Sequence, residues 1–449
     1  LRAIEEAGYN TFLLRTRDLF LDMLTDSGTN AMTDVQQGAM MVADDAYAGS
    51  ESFYKLADSV KDIFGFEYLL PCHQGRAAEH LLAKTFIKPG QVVPMNYHFT
   101  TTKAHFELAG ATVLELYGPD ALDTQSVCPF KGNMDLDKLK AALEKAGPEN
   151  VSFVRMEATT NLIGGQPFSM QNLRDIKAIV EPLGIFLVVD GSLISENAYF
   201  IRQREAGYEN TSIRDIIREM MSISDLCYLS GRKSCSVRGG FIATNRKDLY
   251  EAIRPWLPVY EGFFTYGGMS SKEIEAMAVG VREMTEVDVA GSSADMVKYF
   301  VEKLVDLGLP AVTPPGGLAC HLDAMRFIPQ VPQLQYPAGA LASAVFITSG
   351  IRGMERGTVS MDRDKDGNDV PSDIELLRLA IPRRTYTMSH VEYAADRLKW
   401  LHEHRDLVGG LEFIEEPPVL RFFAGRMKCL GGWGERLVEA FEKDFGPNC

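Results

Sequence analysis

The stretch Ile185-Phe186-Leu187-Val188-Val189-Asp190 is an unbroken apolar run closed by an acid. It is strand-sized, and with no polar alternation it predicts a strand covered on both faces, as in a parallel sheet flanked by helices. Working outward, short apolar strands are predicted at Val92–Met95, Thr112–Leu116, Val151–Met156, Leu226–Leu229 and Gly240–Thr244. Amphipathic helices such as Ala77–Phe86, Asp135–Lys145 and Met170–Val180 separate them. This alternation makes residues 31–286 a large α/β domain whose sheet is mixed but mostly parallel. After Glu286 the style changes. Helices Met296–Leu307, Ala338–Thr348 and His390–His404 surround strands near Gly317–Ala324 and Leu376–Ile381. They predict a smaller α+β domain formed by residues 1–30 and 287–449, with the acid-rich Met361–Ser372 as an exposed loop.

Composition narrows the function. Apolar residues make up 46% of the 449-residue chain and charged residues 24%, a globular balance that excludes disordered and collagen-like classes. A net charge of −15 without a dense Lys/Arg run argues against nucleic acid or an anionic membrane as partner. The longest apolar run is too short to span a bilayer, and the chain opens at Leu1 without a signal-peptide pattern, so a cytoplasmic enzyme is expected. Seven cysteines without C-x-x-C spacing read as reduced thiols. His402 and His404 are two apart on a predicted helix and no H-E-x-x-H occurs, so no metal ligand set is legible.

In open α/β sheets, ligands bind at the carboxyl ends of strands. Three such ends carry suggestive residues. Gln74-Gly75-Arg76 follows the apolar Tyr68–Pro71 and opens a helix, a turn that can offer backbone N–H groups to a phosphate or be a plain helix start. Asp190 can cap the next segment or hold a protonated pyridine nitrogen. Ser230-Gly231-Arg232-Lys233-Ser234 resembles the end of a Walker A loop, but the first glycine is missing and Arg232 separates Gly231 from Lys233. A lysine desolvated there beside another cation suits a Schiff-base amine, although a surface lysine is the plainer alternative. Phosphate turn, acid and then lysine is the order of fold-type-I pyridoxal-phosphate enzymes.

Longer stretches carry a family resemblance. They include residues Glu6-Ala7-Gly8-Tyr9-Asn10-Thr11-Phe12, Leu24-Thr25-Asp26-Ser27-Gly28-Thr29-Asn30, Ala46-Tyr47-Ala48-Gly49-Ser50 and His73-Gln74-Gly75-Arg76. Phe99-Thr100-Thr101-Thr102, Gly164-Gly165-Gln166-Pro167 and Glu196-Asn197-Ala198-Tyr199-Phe200 follow. Over roughly residues 5–427 the chain resembles the β-eliminating lyases, the family of tyrosine phenol-lyase and tryptophanase. Met354-Glu355-Arg356-Gly357 and Arg421-Phe422-Phe423 look like the first of these, unless they only pack a domain interface.

The resemblance implies a fold-type-I, pyridoxal 5′-phosphate-dependent lyase that eliminates the side chain of an aromatic amino acid, with L-tyrosine giving phenol, pyruvate and ammonia. It makes Lys233 the internal aldimine and base, Tyr47 the general acid at the leaving carbon, and Thr100 with Arg356 the partners of the ring hydroxyl. Gln74, Gly75, Arg76 and Ser230 would hold the phosphate, Phe99 would stack on the ring, and Asp190, with Ser192 and Asn161 nearby, would complete the cofactor site. Arg378 and Asn161 would bind the substrate carboxylate, and Met354, Phe263, Phe422 and Phe423 its side chain. A homodimer or homotetramer is implied as well.

Departures from the family lie close to this chemistry. Leu193 stands where an arginine normally faces the cofactor's O3′, and Arg232 replaces a lysine beside Lys233. The loop ending Val237-Arg238-Gly239-Gly240 is one residue short, and Asp45 replaces a glutamate ligand of the family's monovalent-cation site. Weak or absent potassium binding is therefore expected. Phe263 and Phe264 replace Met-Pro and should narrow the side-chain pocket. Two alternatives follow: a relative with altered specificity or another reaction on the same cofactor, and a cofactor-binding protein without catalysis. Retention of Tyr47, Lys233, Asp190 and Arg378 counts against the second.

Overall fold

The structure, a computed structural model, describes residues 1–446, so Cys449 lies outside the described residues. The chain divides into two compact units. The larger takes Ser27–Ala121 and Cys128–Ala294; the smaller takes Leu1–Asp26, Leu122–Val127 and the chain from Asp295.

The larger unit is built on seven strands: β1 (Tyr68–Cys72), β2 (Val92–Met95), β3 (Thr112–Glu115), β4 (Val154–Glu157), β5 (Leu187–Asp190), β6 (Leu226–Ser230) and β7 (Gly240–Thr244). Their spatial order is β1-β7-β6-β5-β4-β2-β3. The five strands β2 to β6 pair in parallel, and β7 runs antiparallel to both of its neighbours. The period-two geometry of a strand explains the apolar run that opens the sequence argument. Leu187 and Val189 enter one core cluster, Val188 enters another, and all three are fully buried. Each such side chain contributes about 1.5–3 kcal/mol relative to exposure. β4 begins at Val154 rather than Val151, because Val151 meets the sheet only through an isolated bridge to Val92. Within this unit Gly28 N donates to Arg232 O (2.9 Å) and Asn30 Nδ2 to Lys233 O (2.9 Å), which ties the segment from Ser27 to the β6–β7 loop.

The smaller unit holds a three-stranded antiparallel sheet of β8 (Ala319–Asp323), β9 (Met354–Arg356) and β10 (Leu376–Ala380), ordered β9-β10-β8. The N-terminal segment joins it: Leu21 and Asp22 pair in parallel with Ile351 and Arg352, and Ala380 N donates to Met23 O at 2.8 Å. Thr124 Oγ1 donates to Asp323 Oδ2 at 2.7 Å, which fastens the short Leu122–Val127 segment to the same unit. The loop Met361–Ser372 has an exposed tip, yet it is anchored by Arg363–Glu416 at 2.9 Å and Arg421–Asp369 at 2.8 Å. Among the described residues no helix is long and apolar enough to cross a membrane.

Candidate active site

The ends of β1, β6 and β7 meet the start of the helix Gly75–Phe86. A Cβ on Gly75 would lie 2.9 Å from Ser230 Cβ, and one on Gly240 would lie 2.4 Å from Leu229 O and 3.2 Å from Gly75 N. Only glycine permits this approach, so the turn Gln74-Gly75 rests directly on the ends of β6 and β7. The first N–H groups of a helix lack intrahelical acceptors, and the Gln74 side chain does not cap this one. The result is a backbone cradle suited to an anion. Arg76 is exposed on the same first turn, and Ser230 is buried.

β4, β5 and β6 end side by side, with Glu157 in register with Asp190 and Asp190 with Tyr228. Asp190 Oδ1 accepts from Ser192 N (3.0 Å), and Ser192 Oγ accepts from Ser230 N (3.0 Å). Asp190 Oδ2 accepts from Arg155 Nη2 at 2.7 Å. Arg155 is fully buried and also donates to Glu157 Oε2 (3.2 Å), the Tyr228 hydroxyl (2.9 Å) and Tyr97 O (3.3 Å). Glu157 Oε1 accepts from Asn161 N at 3.0 Å, so this carboxylate fixes the turn that carries Asn161. Below them Glu79 accepts from the hydroxyls of Thr101 (2.7 Å) and Thr102 (2.6 Å); burial and Asp190 push its pKa up.

Lys233 sits in a loop closed by Gly231 N to Gly239 O (2.8 Å) and Val237 N to Gly231 O (3.0 Å). Its Nζ lies 5.1 Å from the centroid of the Phe99 ring. Burial, Arg238 and Arg76 all lower the pKa of the neighbouring Arg232 guanidinium, in keeping with a cation-rich loop. Ser236 in this loop (φ 55°) and Thr159 after β4 (φ 54°) hold left-handed backbone, a strain that tends to cluster at functional sites. Thr100 starts the helix Thr100–Leu108 directly after Phe99.

Gln74, Gly75, Ser230, Ser192, Asp190, Asn161, Lys233 and Phe99 therefore belong to one connected region of the larger unit. Tyr47 does not join the buried cluster in the single chain. It is 74% exposed and packs on Phe263 and Tyr266, with ring centroids 5.5 Å away in each case. In the smaller unit the cross-strand register puts Met354, Arg378 and His321 on one face of the sheet, with Arg356 on the same face of β9. Burial lowers the Arg378 pKa to about 10, and Asp26 opposes that shift. Arg356 pairs with Asp373 at 3.2 Å and donates to the Ser372 hydroxyl. Phe422 is buried in the core of this unit, tilted against Phe423 with ring centroids 3.9 Å apart and edge-on to Phe12, so it serves packing as well as any ligand.

Sequence reasoning passed over Arg155, Glu157, Tyr228, Glu79 and His321. The available signal was the pair of charges two apart inside an apolar strand, Val154-Arg155-Met156-Glu157, which a doubly covered strand tolerates only if they are paired. Among the described residues no group of three or more His, Cys, Asp or Glu side chains could hold a metal ion.

The family model described as "Beta-eliminating lyase" matches residues 22–397. This chain belongs to the β-eliminating lyase family. It is 46% identical to the tyrosine phenol-lyase of Symbiobacterium thermophilum over 95% of this chain and 94% of that one. It is also 46% identical to the tyrosine phenol-lyase of Nostoc punctiforme, over 95% and 92%. Among solved structures it resembles a serine palmitoyltransferase variant from S. paucimobilis with a bound PLP–myriocin aldimine. That match has a TM-score of 0.60 and 14% identity, covering 86% of this chain and 87% of the other, and it shows the fold alone. The fold is that of fold-type-I enzymes. In this β-eliminating lyase, Leu193 is buried and its carbonyl accepts from Thr159 Oγ1 at 3.1 Å. The cation paired with Asp190 is Arg155, on the neighbouring strand.

Proposed function

We propose that this β-eliminating lyase binds pyridoxal 5′-phosphate and cleaves the Cβ–Cγ bond of L-tyrosine to give phenol, pyruvate and ammonia. The observation that carries the reading is near-full-length similarity to tyrosine phenol-lyases in a chain whose strand ends join Asp190, Ser230, Lys233 and Phe99 in one region. The residues fit the cofactor: Gly75 and Gly240 keep open a backbone cradle that any Cβ would fill, Asp190 offers an acid to a pyridine nitrogen, and Lys233 offers an amine over an aromatic face. The cofactor supplies an electron sink for charge developing at Cα.

In this reading Gln74, Gly75, Arg76 and Ser230 bind the phosphate and Phe99 covers the ring. Ser192 orients Asp190 through its N–H. Lys233 attaches the cofactor and then moves the Cα proton. Tyr47 delivers a proton to the leaving ring carbon, and Thr100 and Arg356 serve the phenolic hydroxyl. Asn161 and Arg378 serve the carboxylate, a task suited to the guanidinium fork. Met354, Phe263, Phe422 and Phe423 serve the substrate side chain. The outward position of Tyr47 in the single chain supports a homodimer or homotetramer in which that residue is covered. The shortened loop with Arg238, and Asp45 in place of glutamate, support little activation by potassium.

One observation favours altered specificity. Phe263 contacts Tyr47 and lies 4.9 Å from Phe264, so rigid rings crowd the general acid. The purified protein with pyridoxal phosphate should release equal phenol and pyruvate from L-tyrosine. If pyruvate comes from S-methylcysteine but not from tyrosine, the small-substrate reading replaces the first.

A further inference from the structure

The buried charges around Asp190 form a balance. Arg155 and Glu157 lie two apart on β4 and so share a face, and Asp190 and Tyr228 follow in register across β5 and β6. Arg155 is 0% exposed, and a buried guanidinium is sustained only by paired acceptors. It donates to both Asp190 (2.7 Å) and Glu157 (3.2 Å) through the same Nη2, with Asp190 the nearer. Asp190 paired with Arg155 alone would be a neutral couple with no charge left for a cationic ligand. Glu157 changes the count. Its two oxygens accept from Arg155 and from Asn161 N, the contacts of an ionised carboxylate. One guanidinium against two carboxylates then leaves one negative charge, which a single protonated nitrogen beside Asp190 would cancel.

Burial, and behind it Asp190, raise the pKa of Glu157, while Arg155, the Asn161 N–H and Lys233 oppose that rise. Arg155 bonds no carboxylate besides Glu157 and Asp190 among the described residues. Tyr228, driven up by burial, stays neutral. Glu79 is bonded to threonine hydroxyls rather than to Arg155, and burial favours its neutral form.

We propose that Glu157 is a positioning residue that keeps the cofactor's ring nitrogen protonated, by offsetting the positive charge that Arg155 places against Asp190. The proposal rests on the reading that Asp190 receives that nitrogen. It gives Arg155 and Glu157 opposed roles on one atom, which a merely structural pair would not have.

The test loads purified protein with pyridoxal phosphate labelled with ¹⁵N in the ring and reads the nitrogen's chemical shift at pH 7. The wild type should give the shift of a protonated ring. Glu157→Gln, nearly isosteric, should move it towards the shift of the free base, and Arg155→Met should leave it protonated. An unchanged shift in Glu157→Gln overturns the proposal while the cofactor assignment stands. Should Glu157→Gln fail to fold, Arg155→Met decides: a retained protonated shift supports the proposal and a free-base shift overturns it. If the wild type binds no cofactor, the proposed function falls and the proposal falls with it.

Discussion

Lys233 Nζ lies over the ring of Phe99, 5.1 Å from its centroid, although the two residues come from separate strand-end loops of the same unit. An aromatic face that attracts an ammonium through its quadrupole also stacks a flat heteroaromatic ring. Replacing Phe99 with leucine keeps the bulk and removes that face. Stacking of this kind contributes about 0.5–1.5 kcal/mol, so the Kd for pyridoxal phosphate should rise about 2- to 10-fold. Equilibrium dialysis against the free cofactor measures this, and an unchanged Kd would place Phe99 elsewhere than on the ring.

The backbone cradle at Gly75 and Gly240 gives a sharper expectation. A Cβ at Gly240 would lie 2.4 Å from Leu229 O and 3.1 Å from Gln74 C, both backbone atoms that cannot turn away. Gly240→Ala should destabilise the fold by about 1–3 kcal/mol and lower cofactor content. Gly38, inside the helix Asp34–Met41, has nothing within 4 Å of its hypothetical Cβ, so Gly38→Ala should leave cofactor content unchanged and hold or raise the Tm. Thermal melts with cofactor absorbance on both variants separate the cases.

Much of this region was legible because buried parallel strands advertise themselves. Leu187, Val188 and Val189 must satisfy two apolar layers at once, so the run is continuous, and the acid that ends it marks the carboxyl edge. Asp190, Lys233 and the Gln74-Gly75 turn could be found from that edge outward. Arg155 and Glu157 could not be assigned, since their place depends on which strand lies beside β4, and strand order is not written locally. The Leu122–Val127 segment was missed for a similar reason: its ties are to residues far along the chain, Thr124 to Asp323 and Thr313, and Gln125 to Ala311. Tyr47 illustrates the converse, since the resemblance supplies its role while the single chain leaves it facing outward.

His321 provides a pH-dependent signature in the smaller unit. Its Nδ1 bonds to Ala319 O at 3.2 Å, and burial, helped by Arg378 and Arg356, lowers its pKa to about 3. The folded value is below the unfolded one, near 6.5, so as pH falls below that value the unfolded chain takes up a proton that the folded chain refuses. Stability is lost in that direction by up to about 1.4 kcal/mol per pH unit. Between pH 6.5 and 5 the wild type should therefore lose about 1.5 kcal/mol more than His321→Phe in urea unfolding. Parallel losses in the two proteins would mean that His321 titrates freely.

The role given to Arg356 separates two steps of the reaction. If its guanidinium serves the phenolic hydroxyl, Arg356→Ala should lower tyrosine elimination by about 10²–10³-fold while exchange of the Cα proton with solvent continues. L-Phenylalanine should exchange that proton in the wild type yet release no pyruvate, because a site built for a hydroxyl rejects the analogue that lacks it. Proton NMR in heavy water, with a coupled pyruvate assay, follows both. Equal loss of exchange and elimination in Arg356→Ala would remove its assignment to the leaving group.

The central claim is that the strand-end region is the cofactor site and that Lys233 makes the covalent attachment. Borohydride reduction of the purified protein with pyridoxal phosphate, followed by digestion and mass spectrometry, addresses it most directly. The account predicts a phosphopyridoxyl group on the peptide containing Lys233, and its loss in Lys233→Ala. The same label on a different lysine of the wild type, or undiminished stable labelling of Lys233→Ala, would contradict it.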